Sequence, residues 1–221
     1  MKLAVFGASG ATGRHLVRLA STGGTTVSVL VRAEAAKTGI NGAKMLVIGD
    51  ATDPADAAAT LKGADAVAIC LGISRRSRSP FAPLVSPPDL TSRATAAILT
   101  AMQAEGVRRV IYVSAFGAGD SWEKIPWWGR AFIRVSQVRH SMADHTRSED
   151  HLAASDAQWT ALRPMFLDVK PSAQPARRMQ EGDSLFARVS RESLGRTILE
   201  MLPDGSTHGR IIPLVAAAEN G

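Results

Sequence analysis

Short apolar runs alternate along this chain with stretches whose apolar positions recur every three to four residues. The runs Leu3–Phe6, Thr26–Val31, Lys44–Ile48, Ala66–Cys70, Arg109–Val113, Thr160–Leu162 and Arg210–Leu214 read as strands. The helical period occupies Gly13–Ser21, Pro54–Leu61, Pro88–Glu105, Trp128–Ser155 and Arg191–Leu202. Strands separated by helices of this length imply parallel pairing through crossovers, with helices covering both faces of the sheet. The predicted architecture is α/β, a doubly wound parallel sheet. Residues 1–221 are expected to form a single domain, with 163–221 contributing a smaller C-terminal lobe on the substrate side. Lys170–Leu185, rich in Pro, Arg and Ser, reads as a mobile loop over the strand ends and a candidate lid.

The first strand runs into Gly7-Ala-Ser-Gly-Ala-Thr-Gly13, and a helix follows. Strand, glycine turn and helix start together suit a nucleotide phosphate. Glycines let the backbone approach a pyrophosphate, and the helix N-terminus offers free N–H groups. This assigns Gly7, Ser9, Gly10, Ala11, Thr12 and Gly13 to a dinucleotide. In a doubly wound sheet ligands lie beyond the carboxyl ends of the strands. The other strand ends carry Arg32, Asp50-Ala51, Leu71-Gly72, Ser114 to Gly117 and Pro164-Met165-Phe166. NAD enzymes place an acidic residue about 20 positions past the glycines. Here Arg32 stands there, which suits the 2′-phosphate of NADP(H), with Lys37 in support. Glu34 is the competing ribose ligand. Asp50 suits the adenine amino group or a helix cap, although Asp53 is better placed to cap.

Composition narrows the class. The 221 residues include 45% hydrophobic ones, enough for one sizeable core. The net charge of +6 could suit an anionic ligand, but the cations are scattered apart from Arg75, Arg76 and Arg78, and no nucleic-acid motif is present. No apolar stretch reaches the ~18 residues of a membrane span, and the first residues do not read as a signal peptide. Cys70 is the single cysteine, which excludes an internal disulfide and a cysteine-based metal cage. The expectation is a cytoplasmic monomer or homodimer acting on a small molecule, with no metal, nucleic-acid or membrane partner.

Taken together, Gly7–Gly13, Val-Leu-Val-Arg32, Gly49-Asp50, Leu71-Gly72, Val113-Ser-Ala-Phe116, Glu149-Asp-His-Leu152 and Leu162-Arg-Pro164 resemble the atypical short-chain dehydrogenase/reductases with an NAD(P)H-binding domain. That group includes NmrA-like proteins and the biliverdin-IXβ reductase/flavin reductases. The resemblance runs from Met1 to about Leu214 and implies a Rossmann fold.

The family's usual chemistry uses Tyr-x-x-x-Lys on the helix after the fifth strand. This chain lacks that motif, and its single tyrosine, Tyr112, falls within the fifth strand. Alignment on Glu149-Asp-His-Leu152 puts Ser141 and His145 at the tyrosine and lysine positions. Trp128, Ala131, Val135, Val138, Met142, His145, Glu149 and Leu152 share one face of the long predicted helix. The roles open for His145 are pairing with Glu149 in the helix–sheet interface, or a cofactor-ribose or proton-relay role. The resemblance to the flavin-reductase branch gives Ser114 a hydrogen bond on the substrate and nicotinamide side; ending the strand is its alternative. Arg75 and Arg78 suit acidic substituents of a substrate, and Phe116 and Trp128 a flat ring system. Trp122, Trp127 and Phe132 suit a roof, lid contacts or a partner patch. The reaction implied is NADPH-dependent hydride transfer to a planar conjugated acceptor of flavin, bilin or quinone type. A biosynthetic reductase or isomerase and a non-catalytic NADP(H) sensor are the alternatives.

Overall fold

The computed structural model describes residues 1–33 and 39–217. The strands are β1 (Lys2–Phe6), β2 (Thr26–Val31), β3 (Met45–Ile48), β4 (Ala66–Ile69), β5 (Arg109–Val113), β6 (Gln158–Pro164), β7 (Phe166–Asp168), β8 (Arg177–Arg178), β9 (Arg188–Ser190) and β10 (Arg210–Val215). The helices are α1 (Ala11–Thr22), α2 (Pro54–Leu61), α3 (Leu90–Glu105), α4 (Trp127–Val135), α5 (Val138–Ala153) and α6 (Arg191–Met201). The main sheet has the order β3-β2-β1-β4-β5-β6-β10-β8. All neighbours pair in parallel except β10 and β8. The strand order therefore reverses between β1 and β4, where a doubly wound sheet opens its ligand crevice.

Alternation along β1 shows how the sequence builds two cores. Leu3 and Val5 join Leu16 and Val17 of α1 and Leu194 and Ile198 of α6 on one face. Ala4 and Phe6 join Leu61 of α2, Ile98 of α3 and Leu152 of α5 on the other. Each fully buried Leu, Ile or Phe contributes roughly 1.5–3 kcal/mol. These are the parallel sheet and Rossmann-type layering expected from the sequence.

Two sequence expectations need correction. The helix read over Trp128–Ser155 is two helices, α4 and α5. Ser136 is extended (φ −102°, ψ 168°), and its side chain bonds the Ile133 carbonyl at 3.1 Å. The Gln137 N–H leaves the helix to donate to Pro80 O at 2.8 Å. Serine competes locally with helical bonding, and no Gly or Pro marks the break. Second, Lys170–Leu185 contains β8, which pairs with β10 through Arg178–Leu214 and Arg177–Val215. Arg177 also forms an ion pair with Asp183, 2.7 Å at its Nη1. Beyond this segment, β7 and β9 make a separate two-stranded sheet. Among the described residues no helix is long and apolar enough to cross a membrane, and no group of His, Cys, Asp and Glu is arranged to hold a metal.

Candidate dinucleotide and acceptor site

The glycine turn opens at the sheet's reversal point. Gly7 has φ +84°, and a Cβ there would lie 2.5 Å from the Cys70 carbonyl oxygen. A Cβ on Gly13 would lie 2.2 Å from Gly7 O, so this position keeps helix and turn in close contact. Gly10 is the N-cap of α1 and supplies no side-chain cap. The helix's bonding begins with Arg14 N–H donating to Gly10 O at 3.0 Å. The N–H groups of Ala11, Thr12 and Gly13 are thereby left for an outside acceptor. Gly7, Ser9 and Gly10 line a groove of about 130 Å³, faced by Arg32, Asp50, Ala51, Leu71 and Gly72. A bare-backbone cradle of this kind fits a pyrophosphate, which side chains would otherwise displace.

Arg32 is exposed just beyond β2. Lys37 and Glu34 lie outside the described residues. One Asp50 oxygen accepts from the Thr52 N–H at 2.8 Å and the Thr52 hydroxyl at 2.9 Å; the other has no partner among the described residues. The Thr52 N–H and hydroxyl, with Arg93 and Arg32 nearby, hold the Asp50 carboxyl below its ordinary value despite partial burial. Capping of α2 falls to Asp53, which accepts from Ala55 N–H at 2.8 Å.

His145 and Glu149 do not pair with each other. His145 Nδ1 lies 2.6 Å from the Tyr112 hydroxyl. Glu149 accepts two bonds from Arg163, at 2.9 Å and 2.6 Å, and Arg163 also reaches Asp120 at 2.6 Å. Arg163 is 1% exposed and Glu149 5%, so a guanidinium fork saturates the carboxylate that the helix spacing offered to His145. Gly119 (φ +52°) lies beside this network, and a Cβ there would sit 2.6 Å from Arg163 Nη2. Burial pushes His145 down, against the pull of Asp144 and Glu149, and pushes the Tyr112 phenol well up. The imidazole is therefore neutral at pH 7. Ser141, at the family's tyrosine position, is half-buried on α5.

A second opening of about 470 Å³ has an almost wholly apolar wall. Ala115 and Phe116 after β5, Met165 and Phe166 after β6, and Trp128 of α4 contribute to it, with Leu185 and Phe186 from the end of the expected lid. Trp128 and Phe186 lie parallel, with ring centres 5.8 Å apart. Phe186 and Phe166 continue the stack at 6.4 Å. The Phe116 N–H donates to Pro164 O at 3.1 Å, which ties the two loops together. Ser114, which precedes Ala115, is 3% exposed, and its Oγ has no partner among the described residues. A buried hydroxyl without a partner is a place where a ligand atom would be accepted. Arg75 and Arg78 are not part of this wall: Arg75 bridges to Leu84 in its own loop, and Arg78 is exposed.

A family model described as NAD(P)H-binding matches residues 7–205. The chain belongs to this NAD(P)H-binding family. The match spans the glycine turn, the groove and both loops of the apolar cleft, so a nicotinamide dinucleotide is the cofactor class of the family. Solved structures share the fold. An anaerobilin reductase, ChuY from Escherichia coli O157:H7, aligns with TM-score 0.80 at 21% identity over 100% of both chains. A short-chain dehydrogenase/reductase from Veillonella parvula, solved with NADP, aligns with TM-score 0.76 at 19% identity over 98% of this chain and 95% of that one. The oxidoreductase YlbE from Lactococcus lactis gives 0.77 at 18% over 98% and 91%.

The glycine turn and strand ends were readable because each lies within a few residues of sequence. The roles of Arg163 and Phe186 were missed. Arg163 appeared only as part of a motif, and its partners lie 14 and 43 positions away. Phe186 stands just past the predicted lid, with no periodic pattern to mark it.

Proposed function

We propose that this protein is an NADPH-dependent oxidoreductase that reduces a planar conjugated acceptor of flavin, bilin or quinone type. The observation that carries the reading is the set of parallel rings of Trp128, Phe186 and Phe166 lining an almost wholly apolar cleft, which Ala115, the residue after the partnerless Ser114, also lines. Stacked rings with almost no polar lining favour an extended π system over a sugar or an amino acid. ChuY, which shares the fold, is an anaerobilin reductase, which agrees with this class of acceptor.

When bound, the reduced nicotinamide supplies a hydride. The chain's own groups bind and orient. The backbone of Gly7, Ser9 and Gly10 and the N–H groups of Ala11, Thr12 and Gly13 would hold the pyrophosphate, and Arg32 the 2′-phosphate. Asp50, Ala51, Leu71 and Gly72 would line the adenine side, while Pro164, Met165 and Phe166 would face the nicotinamide. Ser114 would donate a hydrogen bond to acceptor or carboxamide. His145, its Nδ1 held by Tyr112, would offer Nε2 to a ribose hydroxyl. Tyr112 is wholly buried, so water supplies the proton that a family tyrosine would otherwise give.

NADPH absorbance followed with FMN, a quinone and a bilin tests the reading. At least one acceptor should be turned over. Ser114→Ala should lower kcat/KM about tenfold, the worth of one neutral hydrogen bond. Calorimetry should find NADPH at least ~10-fold tighter than NADH, with the gap closed in Arg32→Ala. Tight NADPH binding with no acceptor turned over would overturn the reaction; equal affinities would overturn the cofactor choice.

A further inference from the structure

That no helix among the described residues is long and apolar enough to cross a membrane leaves open whether the molecule lies on a membrane surface, and the face around the cleft mouth has the features this requires. Helix α4 has no buried residue. Trp127 is 75% exposed, Phe132 46% and Val135 68%. Positions 127, 131 and 135 share one helical face, which α4 turns outward, while Trp128 and Phe132 beside it border the mouth of the cleft. Arg130 and Arg134 occupy its flank. The loop after β4 packs alongside: Pro80 O accepts from Gln137 N–H at 2.8 Å, and Phe81 meets Phe132 edge-on at 5.8 Å. Phe81 and Val85, 55% and 60% exposed, extend the apolar surface.

Charge is concentrated in the same place. Residues 73–87 and 121–142 hold seven Lys and Arg (75, 76, 78, 124, 130, 134, 139) and one acidic residue, Glu123. The whole chain has 26 cations and 20 anions, so nineteen of each remain elsewhere. These two segments thus carry a net charge of +6, bordered by Asp89 and by Asp120, which is paired with Arg163. Their one carboxylate is already paired with Arg130.

We propose that α4 and the 73–87 loop form a docking face for an anionic phospholipid surface. Trp127, Phe132, Val135 and Phe81 would enter the interfacial layer, with Arg76, Arg78, Arg134 and Arg139 at the headgroups. An outward apolar face rimmed by guanidinium groups is the pattern of an interfacial helix. Other occupants fit less well. A second copy docked face to face would bring two excesses of +6 together. A nucleic-acid strand would use the arginines and aromatic rings, but Val85 and Val135 offer it no stacking surface. An acidic small molecule would use the arginines and leave Trp127 facing water. The inference goes beyond the proposed reaction and does not depend on it.

Sedimentation with vesicles of phosphatidylcholine alone, and of phosphatidylcholine mixed with phosphatidylglycerol, tests it, with Trp fluorescence read in parallel. The mixed vesicles should bind at least ~10-fold more protein, since several cations approach the headgroups. Salt near ~1 M should release it. Trp127→Ser and, separately, Arg76→Glu should each reduce binding while leaving NADPH affinity unchanged. Val135→Ser serves the same purpose if Trp127→Ser fails to fold. No association with the anionic vesicles, or association untouched by these variants, would overturn the proposal. So would tighter binding to single-stranded oligonucleotide at the same salt, or a dimer that Trp127→Ser dissociates.

Discussion

At the scale of single residues, the Tyr112–His145 contact shows what a linear reading omits. Arg32 and the three glycines announce themselves because each stands at a strand end or turn that a few residues of sequence define. Tyr112 and His145 are 33 positions apart and meet only because α5 packs on β5. Helix spacing instead offered Glu149 to His145, and could not show that Arg163 would claim it. The contact has a pH signature. His145 in the unfolded chain takes up a proton near pH ~6.5. In the folded protein burial holds its pKa lower, and the phenol, Asp144 and Glu149 face it without reversing that. The unfolded state therefore binds more protons below ~6.5, and stability falls with falling pH there by up to about 1.4 kcal/mol per unit. Thermal melts from pH 8 to 5 should show His145→Gln with a flatter acid limb than the native protein. Parallel limbs would mean that His145 titrates freely.

At the scale of elements, boundaries set by local chemistry were legible and those set by distant partners were not. Asp53 capping α2 follows from sequence; the capping of α3 does not. Its own N-cap residue, Asp89, makes no side-chain cap. The bonds come from Asp144 on α5, which accepts from Thr91 N–H at 2.8 Å and Ser92 N–H at 3.1 Å. Asp144 is 0% exposed, so its removal strands two buried donors. Asp144→Ala should cost about 1–3 kcal/mol and lower Tm by roughly 2–4 °C per kcal/mol, with NADPH affinity little changed. A melt within a degree of native would show that water replaces the carboxylate. The break between α4 and α5 has in part the same origin, because Pro80 of the loop after β4 takes the Gln137 N–H.

At the scale of the whole molecule, the doubly wound sheet and its crevice follow from alternation and crossover length, while the apolar cleft depends on loops from four parts of the chain. The Arg163 network ties three of its supports: β6, α5 and the loop that carries Asp120. Breaking a buried ion pair leaves an uncompensated charge and costs about 3–5 kcal/mol. Glu149→Gln should therefore lower Tm more than Asp144→Ala does, and raise KM for any acceptor before it weakens NADPH. A Tm loss smaller than that of Asp144→Ala would show that Asp120 alone satisfies Arg163. Substrate identity was not legible because the cleft joins helix residues such as Trp128 and Met142 to loop residues such as Met165 and Phe186, and only the fold decides that they meet.

The packing of α6 on α1 bears on how the chain can be made. Gly195 of α6 faces Leu16 and Leu19 of α1 across this contact. Glu192 meets Arg18 at 2.9 Å, and Leu194, Ile198, Ile212 and Leu214 complete the core begun by Leu3 and Val5. The helix that follows the glycine turn is thus covered by residues near the far end of the sequence. During synthesis from the N-terminus, the nucleotide half emerges first with that apolar flank bare, and it stays bare until residues beyond about 190 leave the ribosome. A nascent chain stalled before that point would carry the complete glycine turn and still present a sticky surface to chaperones.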